Sequence, residues 1–243
     1  MVYLLTKGRP INEFYLIQSN GVYANEKDIP FNPLTGEKLT YWGGSHTVKA
    51  GDYIWQDQNG DFDVWDWNDR VRTGNPNPRI TGGFTNTFSY KNFSLEISVN
   101  FLMGREIFNK YISDRLQGYQ NNLSFIAATD LSKLGTWQKE GEGSKFAELN
   151  PYGDNYYQFL PFSSAYIENG NYARIKYINL SYTFPRKFLD RIKMRNLQIY
   201  SVIDNLHTFQ RSTVPDAEAV NELGVYTGTG YPIPRKFTLG VNV

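Results

Sequence analysis

One alternating segment sets the architecture of this chain: Phe93-Ser94-Leu95-Glu96-Ile97-Ser98-Val99-Asn100-Phe101-Leu102-Met103. Every second residue from Phe93 to Met103 is apolar, and four of the five residues between them are polar. In an extended chain, side chains two residues apart point to the same face. The segment therefore predicts a β-strand with one apolar face and one polar face.

Two hairpins are predicted from strands of this kind. Residues 80–90 show the same alternation, and Lys91-Asn92 gives a tight turn into the strand that follows. A second hairpin joins residues 173–184 to residues 197–209 through a basic connection with room for a short helical turn. The partner strand changes phase near Ile199 and Tyr200, so its facing stays open at this point.

Further strands and long polar segments complete the pattern. Residues 235–243 alternate as a last strand, and weaker strands are predicted over residues 13–18 and 47–55. Residues 104–171 show no strand pattern, although a helix is predicted within them over residues 106–116. Short turns that alternate with long polar loops are typical of outer-membrane barrels, in which the turns are periplasmic and the loops extracellular.

Composition excludes several classes of protein. The chain has 243 residues, with 25 Lys and Arg against 24 Asp and Glu, so it lacks the basic surplus of a nucleic-acid-binding protein. It has no Cys, which excludes disulfides, thiolate nucleophiles and iron–sulfur sites. Two histidines, His46 and His207, leave little for a His-rich metal centre.

The aromatic content fits two kinds of β-protein. There are 16 Phe, 18 Tyr and 5 Trp, yet the mean hydropathy is −0.50. The sequence shows neither a signal peptide nor a long apolar run of the length that a transmembrane helix needs. A barrel strand needs only about ten alternating residues, and its ends are rich in aromatic side chains. An outer-membrane barrel therefore fits at least as well as a soluble β-domain.

Five short blocks carry a family resemblance. The longest begins Tyr166-Ile-Glu-Asn-Gly-Asn-Tyr-Ala-Arg-Ile-Lys-Tyr177 and ends at Pro185. The others, in chain order around it, cover residues 51–61, 69–79, 204–209 and 231–243. Together they resemble the SusC/RagA-type TonB-linked outer-membrane proteins (TonB-dependent receptors) of Bacteroidetes, whose motifs occur in the same order.

The resemblance implies a fold and a position within it. Proteins of that family form a 22-stranded barrel with an N-terminal plug and a TonB box. Twenty-two strands of about ten residues need about 220 residues before any loop is counted. About eight strands are predicted here, and no plug, TonB box or signal peptide is found. We therefore expect an all-β fold: residues 1–243 supply the C-terminal antiparallel strands of a transmembrane β-barrel with long extracellular loops.

The resemblance also implies a function. The family imports oligosaccharides or peptides across the outer membrane beneath a SusD-like surface lipoprotein, and TonB drives transport through the N-terminal part. We therefore expect a segment of a nutrient importer in the cell outer membrane, in contact with lipid, with no catalytic residues of its own.

A possible calcium loop runs from Asp57 to Asp69. Asp57, Asn59, Asp61, Asp63 and Asp69 offer oxygen ligands near alternate positions, as calcium loops do. Phe62 stands where such loops have Gly, and Asn68 stands where they have an acidic residue. The alternative is a solvated acidic loop, and no other cofactor is predicted.

Aromatic side chains in the loops are weak candidates for substrate contact. Trp42, Trp137, Tyr156 and Tyr157 could stack against sugar rings, although packing within loops or at a membrane interface explains each of them as well. Trp55, Trp65, Trp67, Tyr152 and Phe159 carry the same two interpretations.

Enzyme chemistry finds little support. Glu140 and Glu142, or Asp154, could serve as a glycosidase pair, but carboxylates are common in surface loops. No nucleophile elbow or phosphate-binding loop occurs.

The alternative function is a soluble β-sandwich that binds carbohydrate, in which protein covers both faces of the strand from Phe93 to Met103.

Overall fold

The computed structural model describes residues 3–64, 67–121, 134–149 and 160–243. The strands are β1 (Tyr3–Leu4), β2 (Glu13–Ile17), β3 (Ser19–Val22), β4 (Thr40–Tyr41), β5 (His46–Thr47), β6 (Tyr53–Trp55), β7 (Arg70–Gly74), β8 (Ile80–Tyr90), β9 (Phe93–Met103), β10 (Glu106–Asn109), β11 (Ile167–Asn169), β12 (Tyr172–Thr183), β13 (Gln198–Gln210), β14 (Val225–Tyr226) and β15 (Lys236–Asn242). The α-helices are α1 (Lys110–Asn121) and α2 (Arg186–Arg191), and single 3-10 turns cover Glu26–Asp28, Trp67–Asp69 and Ser164–Tyr166.

Five long strands form one antiparallel sheet in the order β15-β13-β12-β9-β8, which we call the long sheet. The two predicted hairpins are its β8–β9 and β12–β13 pairs, and the predicted last strand is β15. Helix α2 lies in the basic connection between β12 and β13, where a short helical turn is predicted. The all-β fold expected from the sequence is confirmed.

Register joins the apolar residues of all five strands into one face. Paired residues of antiparallel strands share a face, and Leu95 pairs with Phe88 and Leu180, while Ile203 pairs with Ile178 and Phe237. The apolar face carries Ile80, Phe84, Phe88, Tyr90, Phe93, Leu95, Ile97, Val99, Phe101, Met103, Ala173, Ile175, Ile178, Leu180, Tyr182, Ile199, Ile203, Phe209, Phe237, Leu239 and Val241, with Gly82, Asn86, Ser201 and His207 among them.

The opposite face is mostly polar. Its residues include Thr81, Thr85, Thr87, Ser89, Ser94, Glu96, Ser98, Asn100, Arg174, Tyr177, Asn179, Ser181, Gln198, Asp204, Thr208 and Thr238. A register shift between Ile175 and Tyr177 inserts one extra residue into β12. This bulge keeps Ile175 and Ile178 on the same face, although their spacing in the sequence is odd.

The chain divides into two compact units. Unit 1 comprises Met1–Pro76, Ile107–Ile167 and Glu222–Gly228, and unit 2 comprises Asn77–Glu106, Glu168–Asn221 and Thr229–Val243. The long sheet lies in unit 2. Unit 1 combines short strands with a buried core.

The core of unit 1 is unusually aromatic. Phe14, Tyr41, Tyr53, Phe108 and Tyr166 are fully buried there. The Phe108 and Tyr166 rings meet edge-on, with 5.8 Å between their centroids. Burial raises the pKa of the Tyr41 and Tyr166 hydroxyls above its ordinary value, so both stay neutral. Much of the aromatic content of the sequence therefore stabilises this unit.

Three sequence predictions need correction. The predicted helix over residues 106–116 begins as strand β10, and α1 starts only at Lys110. The weak strands form as β2 and β6, with β5 at the start of the second prediction, but they pair in short separate sheets. The described residues contain fifteen strands, more than the eight or so that were predicted, and five of these form the long sheet. Neither α-helix in the described residues is long and apolar enough to cross a bilayer.

Candidate functional site on the long sheet

The apolar face of the long sheet is exposed. Phe84 is 52% exposed, Leu180 is 47% exposed and Leu239 is 78% exposed. These side chains lie on three different strands of one continuous face. Apolar patches of this extent indicate contact with another protein or with lipid. Strands with an outward apolar face and an inward polar face are the repeating element of transmembrane barrels.

Aromatic rings collect at the hairpin-turn end of that face. Phe93 pairs with Tyr90 on one side and with Tyr182 on the other. The Phe93 and Tyr182 ring centroids are 4.7 Å apart, and the Tyr182 and Phe184 centroids are 5.0 Å apart. The Lys91 ammonium lies 5.2 Å from the centre of the Tyr90 ring. Aromatic and basic side chains side by side are typical of a membrane–water interface.

The polar face carries a cross-strand hydrogen-bond network. The Tyr177 hydroxyl on β12 donates to a Glu96 carboxylate oxygen on β9. The Thr85 hydroxyl on β8 donates to the Ser98 hydroxyl on β9 over 3.0 Å. These contacts link three strands through side chains, in addition to the backbone ladder, and they make this face hydrophilic.

A buried ion pair fixes the loop after β13 to this face. Arg174, on β12, is 1% exposed, and its guanidinium donates to an Asp216 carboxylate oxygen. Its other terminal nitrogen lies 3.3 Å from a carboxylate oxygen of Glu218. Asp216 also accepts the backbone N–H groups of Glu218, at 2.9 Å, and Ile233, at 3.1 Å. The loop is therefore attached to the sheet by charge and hydrogen bonds together.

Electrostatics keep Asp216 ionised. Burial acts to raise the pKa of its carboxyl group, but the hydrogen bonds from Arg174 and from two backbone N–H groups outweigh burial. The pKa of Asp216 consequently lies below its ordinary value. The buried Arg174 guanidinium thus faces a carboxylate at neutral pH.

Two further side chains hold the same loop. Glu168 accepts the Thr213 backbone N–H at 2.6 Å and the Thr213 hydroxyl at 2.8 Å. The Arg105 guanidinium donates to the Ala217 carbonyl. The loop from Arg211 to Asn221 is therefore anchored through Thr213 and through the adjacent Asp216 and Ala217.

The chain spans about a quarter of the length of the curated relatives that it matches. No protein-family model matches the sequence. TonB-dependent receptor P39 of Formosa agariphila is 25% identical over 99% of this chain, and TonB-dependent receptor P26 of the same organism is 28% identical over 98% of it. The chain covers 26% and 23% of those two receptors.

The chain is a homologue of TonB-dependent receptors. TonB-dependent receptors are proteins of the outer membrane. Among solved structures, the RagAB peptide importer in its closed-closed state matches 98% of this chain with a TM-score of 0.67 and 19% sequence identity, and the chain covers 24% of the matched chain. This likeness concerns the fold alone: the strands of this chain match a segment of that importer's chain. The family resemblance found in the sequence is confirmed.

The acidic loop of this receptor homologue is held by its own backbone. Asp57 accepts the N–H groups of Gly60 and Phe62 at 2.7 and 2.8 Å, and Asp61 accepts that of Asp63 at 2.8 Å. Asn59 accepts the N–H of Asp61, while Asp63 and Asp69 accept those of Gly43 and Gln58. Within the described residues, no three carboxylate or imidazole groups come together as metal ligands. Calcium binding stays a prediction.

The aromatic candidates divide between buried and undescribed positions. Trp42, Trp55 and Trp137 are buried in the core of unit 1, and substrate contact by Trp42 and Trp137 stays a prediction. Tyr156 and Tyr157 lie outside the described residues, as do Trp65, Tyr152, Phe159 and, among the carboxylates, Asp154. Substrate contact by Tyr156 and Tyr157 stays a prediction.

Sequence reasoning missed the anchored loop and a buried pair in unit 1. Arg174 could have been noticed as a cation on the polar face of a strand, but its partner Asp216 lies in an irregular segment without periodicity.

His46 and Asp52 are both buried, with 2.6 Å between Nε2 and Oδ2. Asp52 also accepts the Lys49 backbone N–H, which makes this pair a turn-stabilising contact. His207 lies on the apolar face, and its ring is 4.5 Å from that of Phe209.

Proposed function

We propose that this chain forms part of the wall and extracellular loops of an outer-membrane TonB-dependent nutrient importer. The exposed apolar face of the long sheet carries this proposal, since Leu239, Phe84 and Leu180 are the side chains that a bilayer would cover. Strands of 11 to 13 residues, such as β9 and β13, are long enough to cross an outer membrane. The polar face would line the lumen.

The position proposed for the chain is the C-terminal end of the barrel. The resemblance of the five sequence blocks to the family supports this position, as does the coverage of about a quarter of each relative. The N-terminal plug and the contact with TonB would then belong to other parts of the importer. The anchored loop between Arg211 and Asn221 would lie on the extracellular side, because the two-residue turn between β8 and β9 lies at the other end of the sheet.

The proposed cargo is an oligosaccharide or a peptide, taken up together with a SusD-like surface lipoprotein. A peptide is supported by the fold similarity to the RagAB peptide importer, and a glycan is supported by the SusC resemblance. No catalytic step is assigned to this chain, and no nucleic acid is expected as a partner, because the net charge is +1. Co-purification of a lipoprotein with the affinity-tagged importer would test the partnership; its consistent absence would contradict it.

The membrane contact is tested by labelling neighbouring residues of β15. Leu239 lies on the apolar face and Thr238 on the polar face of the same strand. This chain contains no Cys, so Leu239→Cys and Thr238→Cys can each carry a polarity-sensitive fluorophore in a full-length protein free of other cysteines. We expect the Leu239 label in liposomes to emit at shorter wavelength and to be quenched by brominated lipid. The Thr238 label should show the emission of a fluorophore in water.

The labels also separate the importer from the alternative function. A soluble carbohydrate-binding β-sandwich would cover both faces of β9 with protein, and its labels would be insensitive to brominated lipid. Equal responses at Leu239 and Thr238, or a monodisperse protein in buffer without detergent, would rule out the proposed wall.

A further inference from the structure

The long sheet has an open cavity at its long-loop end, entirely within unit 2. It has a volume of about 410 Å³ and is lined by Met103, Ala173, Phe209, Asn171, Gln210 and Arg211, with Tyr172 beside them. Nothing in the proposed transport function uses this cavity. Its position relative to the apolar face indicates what could enter it.

The floor of the cavity belongs to the apolar face. Met103, Ala173 and Phe209 all lie on that face, and Ala173 pairs directly with Phe209. About half of the Met103 and Phe209 side chains is exposed. The floor is thus continuous with the surface that the proposed function places against lipid, and the inference rests on that function.

The rim of the cavity is polar, but most of its polar groups are already engaged. The Asn171 side-chain oxygen accepts the Gly104 backbone N–H at 2.7 Å. The Gln210 side chain accepts the Ala217 N–H at 2.9 Å and donates to the Val214 carbonyl. Both side chains therefore hold the surrounding backbone in place and leave Arg211 as the charged group of the rim.

Arg211 is the one charged residue that lines the cavity. It directly follows β13 and is exposed, and no ion pair to it occurs within the described ranges of the chain. No acidic side chain lines the cavity to neutralise or repel a ligand. The cavity therefore combines an apolar floor with a single cation at its edge.

We propose that this cavity binds an anionic, phosphate-bearing lipid. The acyl chain would lie on Phe209 and Met103, and the phosphate would accept hydrogen bonds from the Arg211 guanidinium, whose planar donors suit phosphate oxygens. Basic pockets at membrane level are a recurrent way of binding anionic headgroups. A soluble anion would gain nothing from the apolar floor, so both parts of the cavity indicate a lipid.

The test uses the full-length importer purified in detergent and titrated with phosphatidylglycerol or phosphatidylcholine. Native mass spectrometry counts the lipid molecules that each preparation retains. We expect the unmodified protein to bind one phosphatidylglycerol about tenfold more tightly than phosphatidylcholine, which corresponds to about 1.4 kcal/mol. Arg211→Gln should abolish that preference. Arg195→Gln, an exposed arginine in the turn at the opposite end of the sheet, should retain it.

Three outcomes would overturn the lipid site: no preference in the unmodified protein, a preference that survives Arg211→Gln, or a preference lost equally in Arg195→Gln. The Leu239 label separates this failure from failure of the proposed function. A protein whose Leu239 label reports lipid but which shows no phosphatidylglycerol preference has a membrane wall without this site. A Leu239 label that reports an aqueous environment would contradict the proposed membrane contact of the long sheet.

Discussion

At the scale of single residues, Gly224 shows how tightly unit 1 is packed. Its φ is +75°, in the left-handed region that side chains rarely adopt, and its carbonyl accepts the Phe108 N–H at 2.8 Å. A Cβ on Gly224 would lie 2.2 Å from Cβ of Pro76 and 3.1 Å from Cζ of Phe14. Neither the conformation nor the space admits a side chain, because the proline ring cannot rotate away.

Gly224→Ala should therefore destabilise unit 1 by about 2–4 kcal/mol, from backbone strain and steric overlap together. Hydrogen–deuterium exchange of the full-length protein should become at least tenfold faster at the β10 and β14 amides. Gly143→Ala is the matched control, since it has open space and no positive φ, and it should change little. Equal exchange in the two variants would refute the packing argument.

Asp216 gives a residue-scale prediction about pH. Its folded-state pKa lies below the ordinary value of about 3.9. Its contribution to stability is therefore complete above that ordinary value and is lost as the pH falls through the lower, folded-state pKa. Hydrogen–deuterium exchange of the backbone amides between Arg211 and Asn221, corrected for the pH dependence of the intrinsic exchange rates, should accelerate only in this acidic range.

Asp216→Asn should show fast exchange in that loop already at neutral pH, with little further change in acid. The asparagine carries no charge to balance the buried Arg174 guanidinium, which then has only Glu218, at 3.3 Å, beside it. Breaking a buried pair costs up to about 3–5 kcal/mol, and the remaining carboxylate offsets part of that loss. Glu222→Gln, which removes an exposed carboxylate, is the control and should behave like the unmodified protein. A loop in Asp216→Asn that remains protected at neutral pH would show that the ion pair does not hold it.

At the scale of elements, β9 tests the two faces directly. Ile97 pairs with Ile178 and lies mid-strand on the apolar face, whereas its neighbour Glu96 lies on the polar face and pairs with the exposed Thr87 of β8. In a bilayer, Ile97→Lys should lower the free energy of unfolding by about 2–4 kcal/mol, because a charged side chain would face hydrocarbon. Thr87→Lys should cost little, since the new charge would lie on the polar face opposite Glu96. Urea titrations in liposomes measure both, and equal losses would contradict the assignment of faces.

Local sequence predicted the strands better than it predicted irregular elements. The alternation in β8, β9 and β15 was sufficient, since period two survives without knowledge of the neighbours. The start of α1 was not predictable in this way. Residues 106–109 form β10 because Phe108 and Asn109 pair with Val225 and Tyr226, which are remote in the sequence. Likewise, the facing of Ile199 follows from its pairing with Tyr182 and Val241.

At the scale of the whole molecule, the two edges of the long sheet favour aggregation of the chain. Among the described strands, β8 pairs only with β9, and β15 pairs only with β13. Unpaired edges beside an apolar face favour intermolecular strand pairing. The 243-residue chain expressed alone should therefore aggregate in detergent-free buffer or depend on the remaining strands of a barrel. Light scattering after gel filtration measures this, and a stable monomer in water would refute it.

The sequence by itself determined the two-faced strands, the hairpins and the receptor family, because alternation and short motifs are written into neighbouring residues. It did not determine which strands share one sheet, that Trp42 and Trp137 are buried, or that Arg174 meets Asp216. The cavity beside Arg211 was equally invisible, since it arises where three strands and a loop meet. Those features depend on contacts between residues that are distant in the sequence, and such contacts form and stabilise the structure only when the chain folds.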